Sequence, residues 1–483
     1  MRLLMGATDI SKEYTKWSRK LGSDIISFNI LGGTVIVLNS LNAAEDLLVK
    51  RSSIYSDRPQ VHNTMSTSDR LLGWANNAGV ISYGERWRAQ RRMTHELLHK
   101  RASEELSPVI VRNSHGKHHA YMSYPPTKLM DRMAGSSIIK VVYGYEATTS
   151  NDTLFDIVSR AVDGFSRSAI TSNFYVNIIP WMQYIPAWFP GAEWKRKALV
   201  WRWQTEQMLH VPYNWTRDKM NTGTAPPSML KHLLSKYAKE PSKEEKDTIL
   251  WATGTLFAAG TDTTVASTLV FIVAMAMHPE VQAKAQAEVD SVLCGKRFPE
   301  IEDRQSMPYV QAVIKEVFRW RSGFLMPPSR MTSTKDTAFL RGPPFFWLML
   351  GYRPKDLKSS TYATSRAISL DERVYPNPEC FDPSRFLSSS APEAPTFGFG
   401  RREPRLQRSC PGTHFAQAAL FMVASGLFAF FDVRPKLDSK GRPVRLTAEM
   451  KQNILVSQPT AFEVDIKPRS EQHEQILRTW VDV

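Results

Sequence analysis

The residue best suited to chemistry is Cys410, which begins the tripeptide Cys410-Pro411-Gly412. The glycine-rich run Phe397-Gly398-Phe399-Gly400-Arg401-Arg402 precedes it. A cysteine that ligates haem iron must be held as the thiolate, so backbone N–H groups and nearby cations must favour the charged sulfur. Glycines allow the required bend and arginines supply the cations. The pattern therefore indicates a thiolate ligand for haem iron, with a buried thiol in an ordinary loop as the alternative.

The longest apolar segment of the chain is the next candidate element. Thr248 to Met277 is apolar enough to span a bilayer and ends before His278-Pro279. Its middle, however, is Gly260-Thr261-Asp262-Thr263-Thr264, and a carboxylate with three hydroxyls is costly inside a membrane. We therefore predict a helix in a soluble core, where these polar groups open a local kink and line a small-molecule pocket.

Two further pairs of residues have helical spacing. Trp87 and Arg91 are four apart in a basic segment, so an indole N–H and a guanidinium can face one anion, unless the segment is simply a solvated basic face. Glu316 and Arg319 are three apart, which allows an ion pair.

Composition restricts the class of protein. The 483 residues, 42% of them hydrophobic, can bury one large core. Three widely separated cysteines argue against a secreted disulfide framework. The net charge of +15 could serve an acidic protein partner, anionic lipid or nucleic acid. The amino-terminal residues predict no signal peptide or membrane anchor, and Ile25 to Leu38 reads as a hairpin turning at Gly32-Gly33.

The order of these motifs resembles the cytochrome P450 superfamily, microsomal fungal members in particular. The sequence runs from Trp87 and Arg91, through Asp262 and Thr263, to Glu316 and Arg319, then Pro383-Ser384-Arg385-Phe386 and the cysteine segment. The resemblance implies a mainly α fold with small β-sheets, in which haem lies between the long central helix and the helix after the cysteine. It also implies a single domain over residues 14–470, followed by a tail over residues 471–483.

The family's residue roles carry over by position. Cys410 would be the axial ligand of the haem iron, and Asp262 with Thr263 would form the proton relay. Glu316, Arg319 and Arg385 would form a structural triad. The remaining cofactor-binding residues implied by the resemblance are Trp87, Arg91, Arg330, Phe397, Arg402, Arg408 and Gly412.

The implied reaction is the insertion of one oxygen atom from O2 into a lipophilic small molecule, with haem b as the cofactor. Electrons would come from NADPH through a separate flavoprotein reductase, since the chain has no Rossmann fingerprint. That reductase would dock on a basic face formed by Arg86, Arg88, Arg92, Arg401, Arg405 and Arg408. The expected location is the cytoplasmic face of the endoplasmic reticulum.

The sequence departs from the family pattern next to the ligand. Glu403 to Ser409 intervenes where family members have one residue, and either Arg402 or Arg408 could fill the role of the arginine before the cysteine. The segment Phe339 to Leu370 also matches poorly. A non-productive haem protein or pseudoenzyme is therefore an alternative, and a basic lipid- or nucleic-acid-binding protein is a remote one.

The substrate pocket implied by the resemblance is largely apolar. Aromatic residues between Phe174 and Phe189 could also dip into a bilayer surface, or could instead form a packed loop. The implied lining segments are Val61 to Val80, Ser172 to Phe189, Leu256 to Ala259, Gly323 to Ser329 and Ser457 to Phe462.

Overall fold

The computed structural model is mainly helical, with two small β-sheets. It describes residues 10–30, 33–52, 64–106, 126–146, 152–169, 173–177, 179–295, 297–321, 329–330, 359–363, 365–388, 391–399, 410–451 and 456–479. The α-helices, in chain order, are α1 (Ile10–Leu21), α2 (Leu41–Ala44), α3 (Thr64–Thr67), α4 (Glu85–Leu98), α5 (Lys100–Glu105), α6 (Pro126–Tyr143), α7 (Thr153–Ala169), α8 (Glu193–Asn221), α9 (Met229–Ser235), α10 (Lys243–Met277), α11 (Pro279–Leu293), α12 (Pro308–Trp320), α13 (Ser365–Ser369), α14 (Thr413–Phe430) and α15 (Glu471–Thr479). Short 3₁₀ turns include Pro180–Tyr184, Pro383–Phe386 and Pro395–Phe397, and a π-helical turn covers Glu45–Lys50.

The larger sheet has four strands in the order β1, β2, β4, β3. These are β1 (Ile25–Ile30), β2 (Gly33–Leu38), β3 (Ser329–Arg330) and β4 (Ser359–Ala363). The predicted hairpin is confirmed, since β1 and β2 are antiparallel with Ile25 opposite Leu38. Strand β4 then pairs parallel to β2 and antiparallel to β3. The second sheet pairs β5 (Phe431–Pro435) with β6 (Val464–Pro468).

Helix α10 lies at the centre of the core. A capping box starts it, in which the Ser242 hydroxyl and the Glu245 carboxylate each bond the other residue's backbone N–H. Its side chains are buried over most of its length, and it contacts α4, α6, α12 and α14. The sequence predicted a local kink at the polar middle of this helix. The segment is nevertheless helical without interruption from Lys243 to Met277. The central helix can therefore present side chains to a site from a rigid element.

Two helices of the described ranges, α10 and α14, are long and apolar enough to cross a membrane by length and composition. Most of the surface of each is instead buried against other parts of the protein. Both therefore serve as core helices, as predicted for α10.

The carboxyl-terminal helix α15 packs onto α14. Leu477 supplies its buried apolar contact, with only 6% of the side chain exposed. The division of the chain at residue 470 stays a prediction.

Candidate active site

Cys410 lies immediately before helix α14, where Gly412 is the N-cap residue. The Cys410 N–H donates to the carbonyl of Phe397 at 2.8 Å, and the Thr413 hydroxyl donates to the carbonyl of Cys410 at 2.8 Å. The Phe397 ring packs edge-on to Phe318 of α12, with 5.0 Å between the ring centroids. Gly398 follows with φ of 88°, a conformation that glycine adopts without strain. The cysteine is thus tied by its backbone to a turn that rests on α12.

The Cys410 thiol lies in a recess. Its side chain is accessible to small molecules, yet the surrounding protein is dense enough that burial raises the pKa of the thiol. Two effects oppose burial and lower that pKa, namely a hydrogen bond from the Gly412 N–H and the positive charge of Arg91. Burial is the largest of these effects, so the pKa of the thiol lies above its ordinary value.

Arg91 reaches the same recess from helix α4. Burial lowers the pKa of Arg91, and the charge of Cys410 opposes this effect in part, so the two side chains lie within electrostatic range of each other. The guanidinium carbon lies 5.7 Å from the centroid of the buried Trp87 ring. A cation and an indole N–H donor one helical turn apart, beside a thiol, suit an anionic group such as a carboxylate.

An accessible stripe interrupts the buried surface of α10. Residues three and four apart share one face of a helix, and the accessible positions follow that spacing. They are Thr255, Leu256, Ala259, Gly260, Asp262, Thr263 and Ser267. Phe257, Ala258, Thr264 and Val265 alternate with them and are buried. The stripe therefore lines an open space with small, hydroxyl and carboxylate side chains.

Two polar side chains of this stripe have defined partners. The Thr263 hydroxyl donates to the carbonyl of Ala259 at 2.7 Å, one turn earlier in the helix. A hydroxyl that donates in this way still offers acceptor lone pairs. The Asp262 carboxylate accepts a hydrogen bond of 3.0 Å from the side-chain amide of Gln458.

Glu316, Arg319 and Arg385 meet in one buried network. Arg319 donates two parallel hydrogen bonds of 2.7 Å to the Glu316 carboxylate, and neither side chain is exposed. Arg385 donates to the same carboxylate at 3.2 Å, and the backbone N–H of Asp382 donates to it at 2.8 Å. The remaining Arg319 donors bond backbone carbonyls of Ser369, Pro378 and Cys380. The network thus joins α12 to α13 and to the segment that leads towards the cysteine.

Some predicted site residues lie outside what the structure describes. Gly400, Arg402, Arg408 and the whole segment Glu403 to Ser409 are among them. Arg330 is described only by its backbone, in β3 opposite Ser360 of β4. The choice between Arg402 and Arg408 therefore stays open.

Sequence reasoning missed the contact between Gln458 and Asp262, although Gln458 lies in a segment assigned to the pocket lining. It also missed Thr396, whose hydroxyl donates to the carbonyl of Phe318 at 2.8 Å and fixes the turn before the cysteine. Both contacts join residues far apart in the chain. No local spacing in the sequence signals either one.

The residues of this recess fit haem. A recessed thiol at a helix N-terminus suits an axial iron ligand, and Arg91 with Trp87 suits a propionate. The accessible stripe of α10 suits the face on which small molecules react. Fold and site together define a haem-thiolate enzyme.

Comparison with known proteins leads to the same class. The family model described as cytochrome P450 matches residues 2–459. The chain belongs to the cytochrome P450 family. The structure of a zebrafish cytochrome P450 with abiraterone superposes with a TM-score of 0.69 over 96% of this chain and all of that one. At 19% identity, that likeness supports the fold alone.

Fungal relatives are closer in sequence. Cytochrome P450 monooxygenase 208 of Postia placenta is 33% identical, over 98% of this chain and 89% of its own length. Cytochrome P450 monooxygenase COX2 of Coprinopsis cinerea is 34% identical, over 95% and 85% respectively. Tryptamine 4-monooxygenase of Psilocybe cyanescens is 30% identical, over 95% and 88%.

These relatives confirm the predicted activity. The protein is a haem-dependent monooxygenase that uses O2, a redox partner and a lipophilic substrate. The names of the relatives favour this function over the non-productive alternative and over nucleic-acid binding.

Proposed function

We propose that Cys410 is the axial ligand of haem b and that Asp262 and Thr263 relay protons to the reacting oxygen. The observation that carries this proposal is the meeting of Cys410 and the Gly412 N–H with Arg91 in one recess, although Arg91 comes from a distant part of the chain. When bound, haem supplies the oxygen-activation chemistry. The protein supplies the rest: Arg91 and Trp87 hold a propionate, Glu316, Arg319 and Arg385 brace the cysteine segment, and Arg330 and either Arg402 or Arg408 add cations.

The reduced, carbon-monoxide-bound difference spectrum tests the ligand. We expect the long-wavelength Soret band that a thiolate opposite CO produces, and we expect Cys410→Ser to lose it. Cys294→Ser is the matched control, because Cys294 is an exposed thiol at the end of α11 and its substitution should leave the band in place. The same band in Cys410→Ser, or its absence from the wild type, would refute this assignment.

We further propose that electrons come from NADPH through a separate flavoprotein reductase, which docks on the basic side of α4. Arg88 and Arg92 support this docking site, because they are exposed and four residues apart on one helix face. Arg86 pairs with Asp247 of α10, and Arg88 lies 3.5 Å from the exposed carboxylate of Glu85, so each contributes less net charge than its own guanidinium carries.

A lipophilic substrate would reach the site from a membrane surface at the cytoplasmic face of the endoplasmic reticulum. Support comes from large side chains that stand exposed in and after the Pro180–Tyr184 turn; Trp188, for instance, is 79% exposed. Tryptophan and tyrosine are the residues that favour membrane interfaces. We call the exposed set the aromatic surface: Tyr175, Trp181, Tyr184, Trp188, Phe189 and Trp203.

Co-sedimentation with phosphatidylcholine vesicles tests this membrane contact. We expect the double variant Trp181→Ser and Trp188→Ser to weaken the partition constant by about tenfold or more, given the apolar area removed. The control is Leu437→Ser with Val444→Ser, which removes two other exposed apolar side chains. Equal loss in both double variants would contradict a specific role for the aromatic surface.

A further inference from the structure

We propose that Gln458 is a positioning residue, which holds the Asp262 carboxylate in the orientation that serves the proton relay. The inference rests on the proposed role of Asp262. Its starting observation is the 3.0 Å hydrogen bond from Gln458 Nε2 to Asp262 Oδ1. Gln458 is remote from α10 in the chain, so the bond ties two separate parts of the fold.

The backbone around Gln458 is itself held firmly. Its carbonyl accepts from the Lys451 N–H at 2.7 Å, and Met450 pairs with Pro459 in an antiparallel bridge. The Thr460 N–H donates to the backbone carbonyl of Glu449 at 2.8 Å. The two arms of this loop are thus paired with each other, and the amide of Gln458 projects from a fixed point towards α10.

The chemistry of the amide limits what Gln458 can do. An amide N–H donates a hydrogen bond but does not give up its proton near neutral pH, so Gln458 cannot itself supply protons. A carboxylate has about four lone-pair sites, and one neutral donor engages only one of them. Gln458 can therefore restrict the rotation of the Asp262 side chain while leaving the carboxylate able to bind and release a proton.

A relay that loses this restraint delivers protons less efficiently. NADPH provides two electrons to dioxygen, and when oxygen transfer fails, the reduced dioxygen leaves with two protons as hydrogen peroxide. Loss of the Gln458 donor should therefore increase the peroxide released per NADPH consumed.

The first test is a double-mutant cycle on urea unfolding of the holoenzyme, with Asp262→Ala, Gln458→Ala and the double variant, since each alanine removes one partner of the bond. If the bond exists, the two changes are non-additive, and their combined effect on the unfolding constant differs from the product of the single effects by about tenfold. Additive effects would overturn the contact on which the inference depends.

The second test distinguishes positioning from a merely structural bond. Gln458→Ala and Gln458→Glu should raise peroxide per NADPH by about threefold to tenfold, with purified reductase and 7-ethoxycoumarin as the probe. The glutamate variant keeps the size of the side chain but cannot donate when ionised. With the probe at saturating concentration, turnover driven by cumene hydroperoxide, whose oxygen is already reduced, should fall less than NADPH-driven turnover.

Gln475→Ala is the control, because Gln475 is an exposed glutamine on α15. An unchanged peroxide yield in both Gln458 variants, or an equal loss of hydroperoxide-driven turnover, would overturn the positioning role. Retention of the long-wavelength CO band in these variants would show that such a failure concerns Gln458 and not the haem-thiolate site.

Discussion

At the scale of single residues, Arg319 is a charge held on all sides. It is wholly buried, and its guanidinium bonds a carboxylate and three backbone carbonyls at once. The planar five-donor fork of arginine matches this set of acceptors, whereas a lysine ammonium has three donors at one point. A positive charge alone therefore does not explain why arginine, and not lysine, occupies position 319.

We predict that Arg319→Lys lowers the free energy of unfolding by about 3 kcal/mol, because buried acceptors lose their partners. Urea unfolding of the holoenzyme measures the change. The matched control is Arg167→Lys, since Arg167 pairs with Asp163 on the exposed face of α7 and should cost at most ~0.5 kcal/mol. Similar costs for the two variants would mean that the buried network contributes no more than a surface pair.

At the scale of elements, helix α15 depends on a histidine that prefers to be neutral. Burial lowers the pKa of His473, and the nearby Arg469 lowers it further, against smaller opposing effects from Asp290 and Asp432. Its ring Nδ1 lies 2.7 Å from the Ser470 hydroxyl, and the ring packs edge-on to Phe430 of α14. Protonation therefore opposes the docking of α15.

The sign of the pH effect follows from this shift. The docked state binds protons less readily than the undocked state, whose histidine titrates near the ordinary value of about 6.5. The docking of α15 should therefore be fully stable above that value and should weaken as the pH falls below it. Hydrogen-exchange protection factors of α15 amides at pH 7.5 and 5.5, corrected for intrinsic exchange rates, measure the effect.

His473→Gln is the informative variant for this prediction, because glutamine does not titrate. Its protection of α15 should be the same at both pH values. A loss of protection at low pH that persists in this variant would assign the effect to another group.

At the scale of the whole molecule, the location of the positive charges matters more than the net charge of +15. Arg88 and Arg92 place exposed charge on α4, the helix that also carries Arg91 to the cysteine recess. A partner attracted to that side would lie close to the site that receives its electrons. Long-range attraction of this kind mainly changes the rate of encounter and is weakened by salt.

We predict that Arg88→Glu with Arg92→Glu raises the KM for an acidic reductase by about tenfold at low ionic strength. The difference from wild type should shrink as salt rises, because the screening length is about 10 Å at 0.1 M. Arg160→Glu with Arg167→Glu, on the exposed face of α7, makes the same change in net charge and serves as the control. Equal effects of the two pairs would assign the charge dependence to net charge alone.

The sequence by itself determined the family, the reaction class and several elements. The hairpin at Ile25 to Leu38 and the helix ending at Met277 follow from local patterns, namely an apolar run divided by a glycine pair and an apolar run closed by a proline. The oxygen-transfer reaction followed from the family resemblance that the ordered motifs carry. Each motif occupies a few consecutive positions, so it can be recognised without knowledge of the fold.

Only the tertiary structure decided which distant groups meet. Gln458 bonds Asp262, Thr396 bonds the carbonyl of Phe318, and Arg91 faces Cys410 because loops and helices far apart in the chain pack together. The pKa of the Cys410 thiol likewise depends on the balance between desolvation and two opposing partners, which depends on depth and distance in the fold. The spacing of residues along the chain predicts which of them share a face of one helix or strand. The contacts named here depend instead on how separate elements pack in space.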